Sequence, residues 1–221
     1  MKTFILNFKN YLEGAGNNSK QIAKLVSELC YKYDVNYFLA SPQQSLAMLS
    51  QEMNLTIISQ HLDNVPTGPT TGFCVPEIAK SYGIKGSLIN HSEHRITKSD
   101  IKDLVKKLKN LKMISIVCAK DSEEVAEFSQ FYPNFIAIEP PELIGTGKAV
   151  SDEKPEIVIN AINEVRKVSD SIKLLCGAGI TNRKDVLKAC ELGADGILVA
   201  SGVIKSQNWK ATLSDLIEPL S

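Results

Sequence analysis

The sequence predicts an α/β protein, a single-domain (β/α)8 barrel spanning residues 1–221. Three observations predict it. Eight short apolar runs, rich in Ile, Val, Leu and Phe, alternate with segments of helical period. The chain of 221 residues allows about 28 per unit, near the minimum for a strand–helix repeat. Polar residues recur just past the runs, where parallel α/β proteins build their sites. An open doubly wound sheet is the competing architecture, and the even spacing of the units favours closure.

The first strand runs from Phe4 to Phe8. Ile22, Leu25, Val26 and Leu29 then repeat at helical spacing and define the buried stripe of a helix. The second strand is Tyr37 to Ala40 and the third is Leu55 to Gln60. After the third comes Leu62 to Pro76, rich in Pro, Thr and Gly and too long for an ordinary connector. It reads as a lid, a binding loop or a subunit contact. The fourth strand, Ser87 to Asn90, precedes a helix carried by Ile101, Leu104, Val105 and Leu108. Met113 to Cys118 and Phe135 to Glu139 form the fifth and sixth strands. Ser151 and Pro155 open a helix bearing Ile157, Val158, Ala161, Ile162 and Val165. The seventh strand is Lys173 to Cys176, Thr181 caps a helix through Cys190, and the eighth strand is Gly196 to Ala200.

Formal net charge is zero, from 25 basic and 25 acidic residues, with no long run of one sign. Nucleic-acid and membrane-surface roles therefore have no electrostatic support. No apolar stretch has the length of a bilayer span, and the N-terminus turns polar too early for a secretory signal. The expected location is cytoplasmic. The five cysteines are odd in number and widely spaced, unlike a disulfide framework or a zinc site. Cys118 and Cys176 each end a strand and can line a site.

The densest chemistry is Glu139-Pro140-Pro141-Glu142-Leu143-Ile144-Gly145-Thr146-Gly147-Lys148. A carboxylate ends a buried strand, two prolines stiffen the exit, and glycine amides follow that can approach an anion. The prolines argue against reading Glu139 as an ordinary helix-start charge. Lys9 follows the first strand, where an ammonium can enter the barrel mouth; the bland reading is one more surface lysine. Asn7 lies inside an apolar run and needs partners. Two of the three histidines fall in Asn90-His91-Ser92-Glu93-His94-Arg95, and His91 directly follows the strand. Glu93 and Arg95 are placed to pair with each other. His61, after the third strand, reads as structural or interfacial. Gly177-Ala178-Gly179-Ile180 and Ala200-Ser201-Gly202 resemble barrel phosphate loops. The glycine pattern lacks the third glycine of a dinucleotide fold, and no Gly-Lys-Ser/Thr triplet marks a nucleoside-triphosphate site.

Together these motifs resemble the triosephosphate isomerase family through the whole chain and in order. Asn7-Phe8-Lys9, Asn90-His91-Ser92-Glu93, and Glu139-Pro140 with Ile144-Gly145-Thr146-Gly147-Lys148 carry the resemblance. Gln60-His61-Leu62-Asp63, Gly177-Ala178-Gly179-Ile180 and the short length resemble its compact archaeal form. The chain departs from the longer form at Pro141-Glu142, at Cys176-Gly177-Ala178-Gly179, and at His94 where arginine is common. The resemblance implies a TIM-barrel enzyme of glycolysis and gluconeogenesis that interconverts dihydroxyacetone phosphate and D-glyceraldehyde 3-phosphate. It implies Glu139 as base, His91 as electrophile, Lys9 for substrate charge and Asn7 for orientation. It implies phosphate contacts from Ile144, Gly145, Gly179, Ala200 and Ser201. It also implies no metal or cofactor, and a homodimer or homotetramer with the Leu62–Pro76 loop beside a neighbour's Asn7 and Lys9. A metal-dependent sugar-phosphate epimerase and a non-catalytic phosphate sensor remain rivals. The joint presence of Lys9, His91 and Glu139 favours an enzyme over the sensor, and His61-Leu62-Asp63 is thin support for the metal ligands of the epimerase.

Overall fold

The computed structural model describes residues 1–53, 55–143 and 145–221. Its strands are β1 (Thr3–Asn7), β2 (Asn36–Ser41), β3 (Ile57–Ser59), β4 (Gly86–Ile89), β5 (Ile114–Ala119), β6 (Phe135–Ile138), β7 (Lys173–Cys176) and β8 (Gly196–Val199). They pair in parallel in sequence order, and β1 closes the barrel on β8. The open-sheet alternative is thereby excluded.

The two faces of each strand bury different neighbours. Ile5, Phe38, Ile58, Leu88, Ile116 and Leu175 fill the barrel interior. Phe4, Leu6, Leu39, Ile57, Ile89 and Val117 face the helices. Parallel strands need these crossovers, so both faces are apolar and the strand runs read as continuous hydrophobic stretches.

The helices are α1 (Asn17–Tyr33), α2 (Gln43–Met53), α3 (Pro76–Ser81), α4 (Lys98–Asn110), α5 (Ser122–Ser129), α6 (Val150–Glu153), α7 (Pro155–Val168), α8 (Arg183–Glu191), α9 (Ser201–Ile204) and α10 (Trp209–Ile217). α4 begins where Thr97 accepts the Asp100 amide at 3.2 Å and buries Ile101, Leu104, Val105 and Leu108. No helix among the described residues is long and apolar enough to cross a membrane.

Several sequence expectations need correction. The helix expected from Ser151 onward is two helices, because Lys154 leaves helical geometry at φ −141° before Pro155 restarts it. A residue preceding proline is pushed out of the α region. The cap of α8 is Asn182, not Thr181. Asn182 accepts the Asp185 amide at 3.2 Å while Asp185 accepts the Asn182 amide at 3.2 Å, a reciprocal box that a residue one position earlier cannot make. The third strand is shorter than expected, Ile57–Ser59.

The long connection after β3 is tied at its base. The Asp63 amide donates to the Cys74 carbonyl at 2.9 Å, and the Cys74 amide donates to Asp63 Oδ2 at 2.6 Å. Lys107 reaches across from α4 to the Val65 carbonyl at 2.6 Å. Pro76, expected in the loop, instead opens α3. All five cysteines are free thiols. Burial pushes the thiols of Cys30 and Cys176 up to about 12, so neither is a ready nucleophile at neutral pH.

Candidate active site

Side-chain alternation aims the first groups into the barrel mouth. Asn7 lies two residues beyond Ile5 and shares its inward face. Its Oδ1 accepts the Lys9 amide at 2.9 Å and Gln60 Nε2 at 3.2 Å, so the carbonyl end of the buried amide is partnered. Lys9 adopts a left-handed backbone, φ 48°, which turns the chain back over the mouth. Its ammonium meets Glu93 at 2.6 Å. The lysine side chain is 12% exposed and the glutamate 57%, so the pair sits at the edge of the opening. Arg95 pairs instead with Glu124 at 3.0 Å. The expected Glu93–Arg95 bridge does not form, because the chain after His91 turns Glu93 toward Lys9 and Arg95 toward the start of α5.

Glu139 follows β6 on the inward face of Ala137. Its amide donates to the Ala119 carbonyl at 2.8 Å, which extends the β5–β6 ladder to the base of the site. The carboxylate is buried, and its Oε2 has no hydrogen-bond partner among the described residues. His91 Nε2 stands 3.7 Å from Oε1, close but beyond a hydrogen bond. The Glu93 amide donates to His91 Nδ1 at 3.2 Å. That bond requires a lone pair on Nδ1, so the neutral ring carries its proton on Nε2, facing Glu139. Burial pushes the Glu139 carboxyl above the ordinary glutamate range; His91, the Cys118 thiol, Lys9 and Arg95 oppose the shift. Gly177 makes room for this arrangement. A methyl there would stand 2.6 Å from Glu139 Cγ.

The glycine turns complete the enclosure. Gly145, Gly179, Ala200 and Ser201 border the same cavity of about 50 Å³ as Lys9, His91 and Glu139. It opens beside a cleft of about 500 Å³ bordered by Asn7, Lys9, Gln60 and His91. Gly179 has φ 72°, and a Cβ there would fall 1.8 Å from the Lys148 carbonyl oxygen. The loop after β6 can therefore press against the β7 loop only over glycine. Of that loop, Leu143 and Ala149 are buried anchors while 145–148 are exposed. Ile144 lies outside the described residues.

The sequence marks Cys118 as able to line a site and Gly177 as part of a phosphate-type loop, but not the support that either gives Glu139, and it gives Gln60 no role in the site. Cys118 ends a strand-like run and Gly177 directly follows one, a signal of location without one of role. Gln60 follows the short β3 and donates to the Lys9 carbonyl at 3.0 Å. His61 bonds Asp63 at 3.3 Å and stacks on His94, with ring centroids 4.0 Å apart and planes at 18°. No group of three His, Cys, Asp or Glu side chains among the described residues could hold a metal ion.

A family model for triosephosphate isomerase matches residues 2–218. A triosephosphate isomerase from Cenarchaeum symbiosum is 48% identical over 98% of this chain and 97% of its own length. Those from Methanothermus fervidus and Saccharolobus solfataricus are each 44% identical over 96% of this chain, covering 96% and 93% of their own lengths. The chain belongs to the triosephosphate isomerase family, and it is an isomerase.

Proposed function

We propose that this enzyme interconverts dihydroxyacetone phosphate and D-glyceraldehyde 3-phosphate by proton transfer through an enediolate. The carrying observation is a buried carboxylate on Glu139 whose Oε2 has no hydrogen-bond partner among the described residues, with His91 Nε2–H 3.7 Å from Oε1 and Lys9 in the same cavity. A carboxylate whose charge is disfavoured by burial gains by accepting a proton.

Glu139 removes the proton from the carbon beside the carbonyl, and the carbon–hydrogen electron pair moves into the enediolate. His91 Nε2–H polarises the carbonyl oxygen and passes a proton between the two oxygens. Glu139 returns its proton to the neighbouring carbon, so atoms and charge balance without a metal or cofactor. Lys9 holds the developing negative charge, Asn7 orients it through the Lys9 amide, and amides at Ile144, Gly145, Gly179, Ala200 and Ser201 receive the phosphate. Phosphate is a good leaving group from the enediolate, so the loop after β6 must exclude water. The reaction belongs to glycolysis and gluconeogenesis in the cytoplasm.

The test is a coupled assay of the purified protein in both directions, repeated in deuterium oxide. Interconversion with deuterium appearing on the carbon that receives the proton supports the scheme. A folded sample that leaves both triose phosphates unchanged contradicts it.

A further inference from the structure

We propose that Asn90 is a positioning residue, whose left-handed turn and two side-chain bonds set His91 against Glu139. The inference rests on the roles just proposed for those two residues.

In β4 the side chain of Leu88 faces the barrel interior and that of Ile89 faces the helices. Continued alternation would send Asn90 inward and His91 outward among the helices. Asn90 has φ 62°, which breaks the alternation and turns the imidazole into the mouth. Asparagine is one of the few residues besides glycine that adopts this backbone readily.

Glycine would make the turn equally well, so the amide itself needs a reason. Asn90 is 3% exposed and both ends of its side chain are bonded. Nδ2 donates to the Cys118 carbonyl at 3.1 Å, and Oδ1 accepts the Ile96 amide at 3.2 Å. The first bond crosses to the carboxyl end of β5. That same end holds Glu139: Ala119 accepts its amide at 2.8 Å, and the Cys118 thiol interacts with its carboxylate. β5 separates β4 from β6, so His91 and Glu139 sit on strands that do not touch each other. Asn90 fastens the histidine to the strand that fastens the glutamate. The second bond pins the return of the loop at Ile96. It thereby holds the Glu93 amide on His91 Nδ1 and keeps Nε2–H aimed at Glu139.

The test compares Asn90→Gly, Asn90→Asp, His91→Gln and Glu139→Gln in the full-length protein. Measured are kcat, KM, inhibition by inorganic phosphate, thermal melting and the pH profile of kcat/KM. Asn90→Gly keeps the turn and loses both bonds. Its kcat is expected to fall at least ~10-fold, the scale of a small misplacement of a reacting group. Its KM and phosphate inhibition should stay within about twofold. The acid limb of its profile should move to higher pH as His91 retreats from Glu139. Should the glycine variant fail to fold, Asn90→Asp carries the test. It can still accept from Ile96 but cannot donate to Cys118, and the same loss of kcat is expected. The proposal is overturned by a folded variant with wild-type kcat and an unmoved acid limb. A loss carried by KM and phosphate affinity overturns it equally. If His91→Gln and Glu139→Gln keep turnover, the proposed roles fail and the inference with them. If those two lose turnover while the Asn90 variants do not, the inference alone fails.

Discussion

Glu139 is held where its own charge is disfavoured, and this has consequences at two levels. Burial raises its folded-state pKa above that of the unfolded chain, so the folded state binds its proton more tightly. The associated stability is complete below the unfolded pKa and is lost as pH rises through the folded one. Activity runs the opposite way, because the proposed base must be ionised. The acid limb of kcat/KM should therefore fall above the ordinary glutamate range, and Glu139→Gln should gain stability over the wild type as pH rises. An acid limb at an ordinary glutamate pKa would contradict the burial argument. For Lys9→Met the expectation is a rise in KM with a fall in kcat, at least ~100-fold in kcat/KM, since the ammonium would meet both ground-state charge and the developing oxyanion. Its partner Glu93 is half exposed and can rehydrate, so folding should survive. Unchanged kinetics would place Lys9 outside the reaction. That Asn7, Lys9, His91 and Glu139 gather at one end of the barrel was legible in the sequence, because polar residues at strand ends need a reason; their roles are the proposal. Glu93 as the partner of Lys9 was not, since the two are 84 residues apart and only barrel closure brings them together. Gly177 was not, because its role lies in the space it leaves for Glu139.

The loop after β6 is expected to move when substrate binds. Buried Leu143 and Ala149 hold its ends, Gly145 and Gly147 adopt φ 71° and 74°, and 145–148 face solvent. Thr146 Oγ1 donates to the Leu143 carbonyl at 2.8 Å and accepts the Lys148 amide at 3.1 Å, so the tip is internally bonded and can move as a unit. Crystals with and without a bound substrate analogue should differ in the position of residues Gly145 to Gly147. The same position in both, free of lattice contacts, would contradict movement of this loop on binding. Element order and type were legible because hydrophobic period is a property of the strand or helix itself. The break at Lys154 and the cap at Asn182 were not. Each turns on a contest between neighbours, and the proline and the Asp185 box settle them.

At the scale of the whole molecule, eight evenly spaced units foretold the closed barrel, since parallel strands covered on both faces leave few other solutions. Several large apolar side chains stay exposed among the described residues, Leu12, Tyr31 and Phe73 among them. Beyond its tied base, the connection after β3 extends a segment with little charge, and Phe73 remains 54% exposed. A contact with a second copy would cover that apolar surface. The expected assembly is a homodimer or homotetramer with this loop at the interface, near Asn7 and Lys9 of the neighbour. Light scattering at micromolar concentration checks it, and a monomeric mass in a fully active sample would refute it. Glu139→Gln keeps the shape of the side chain and removes its capacity to accept a proton. Purified variant and wild type should bind a phosphate analogue alike, while turnover of the variant falls at least ~100-fold, the scale of a positioned base. Turnover above about a tenth of wild type in the folded variant would contradict Glu139 as the proton acceptor.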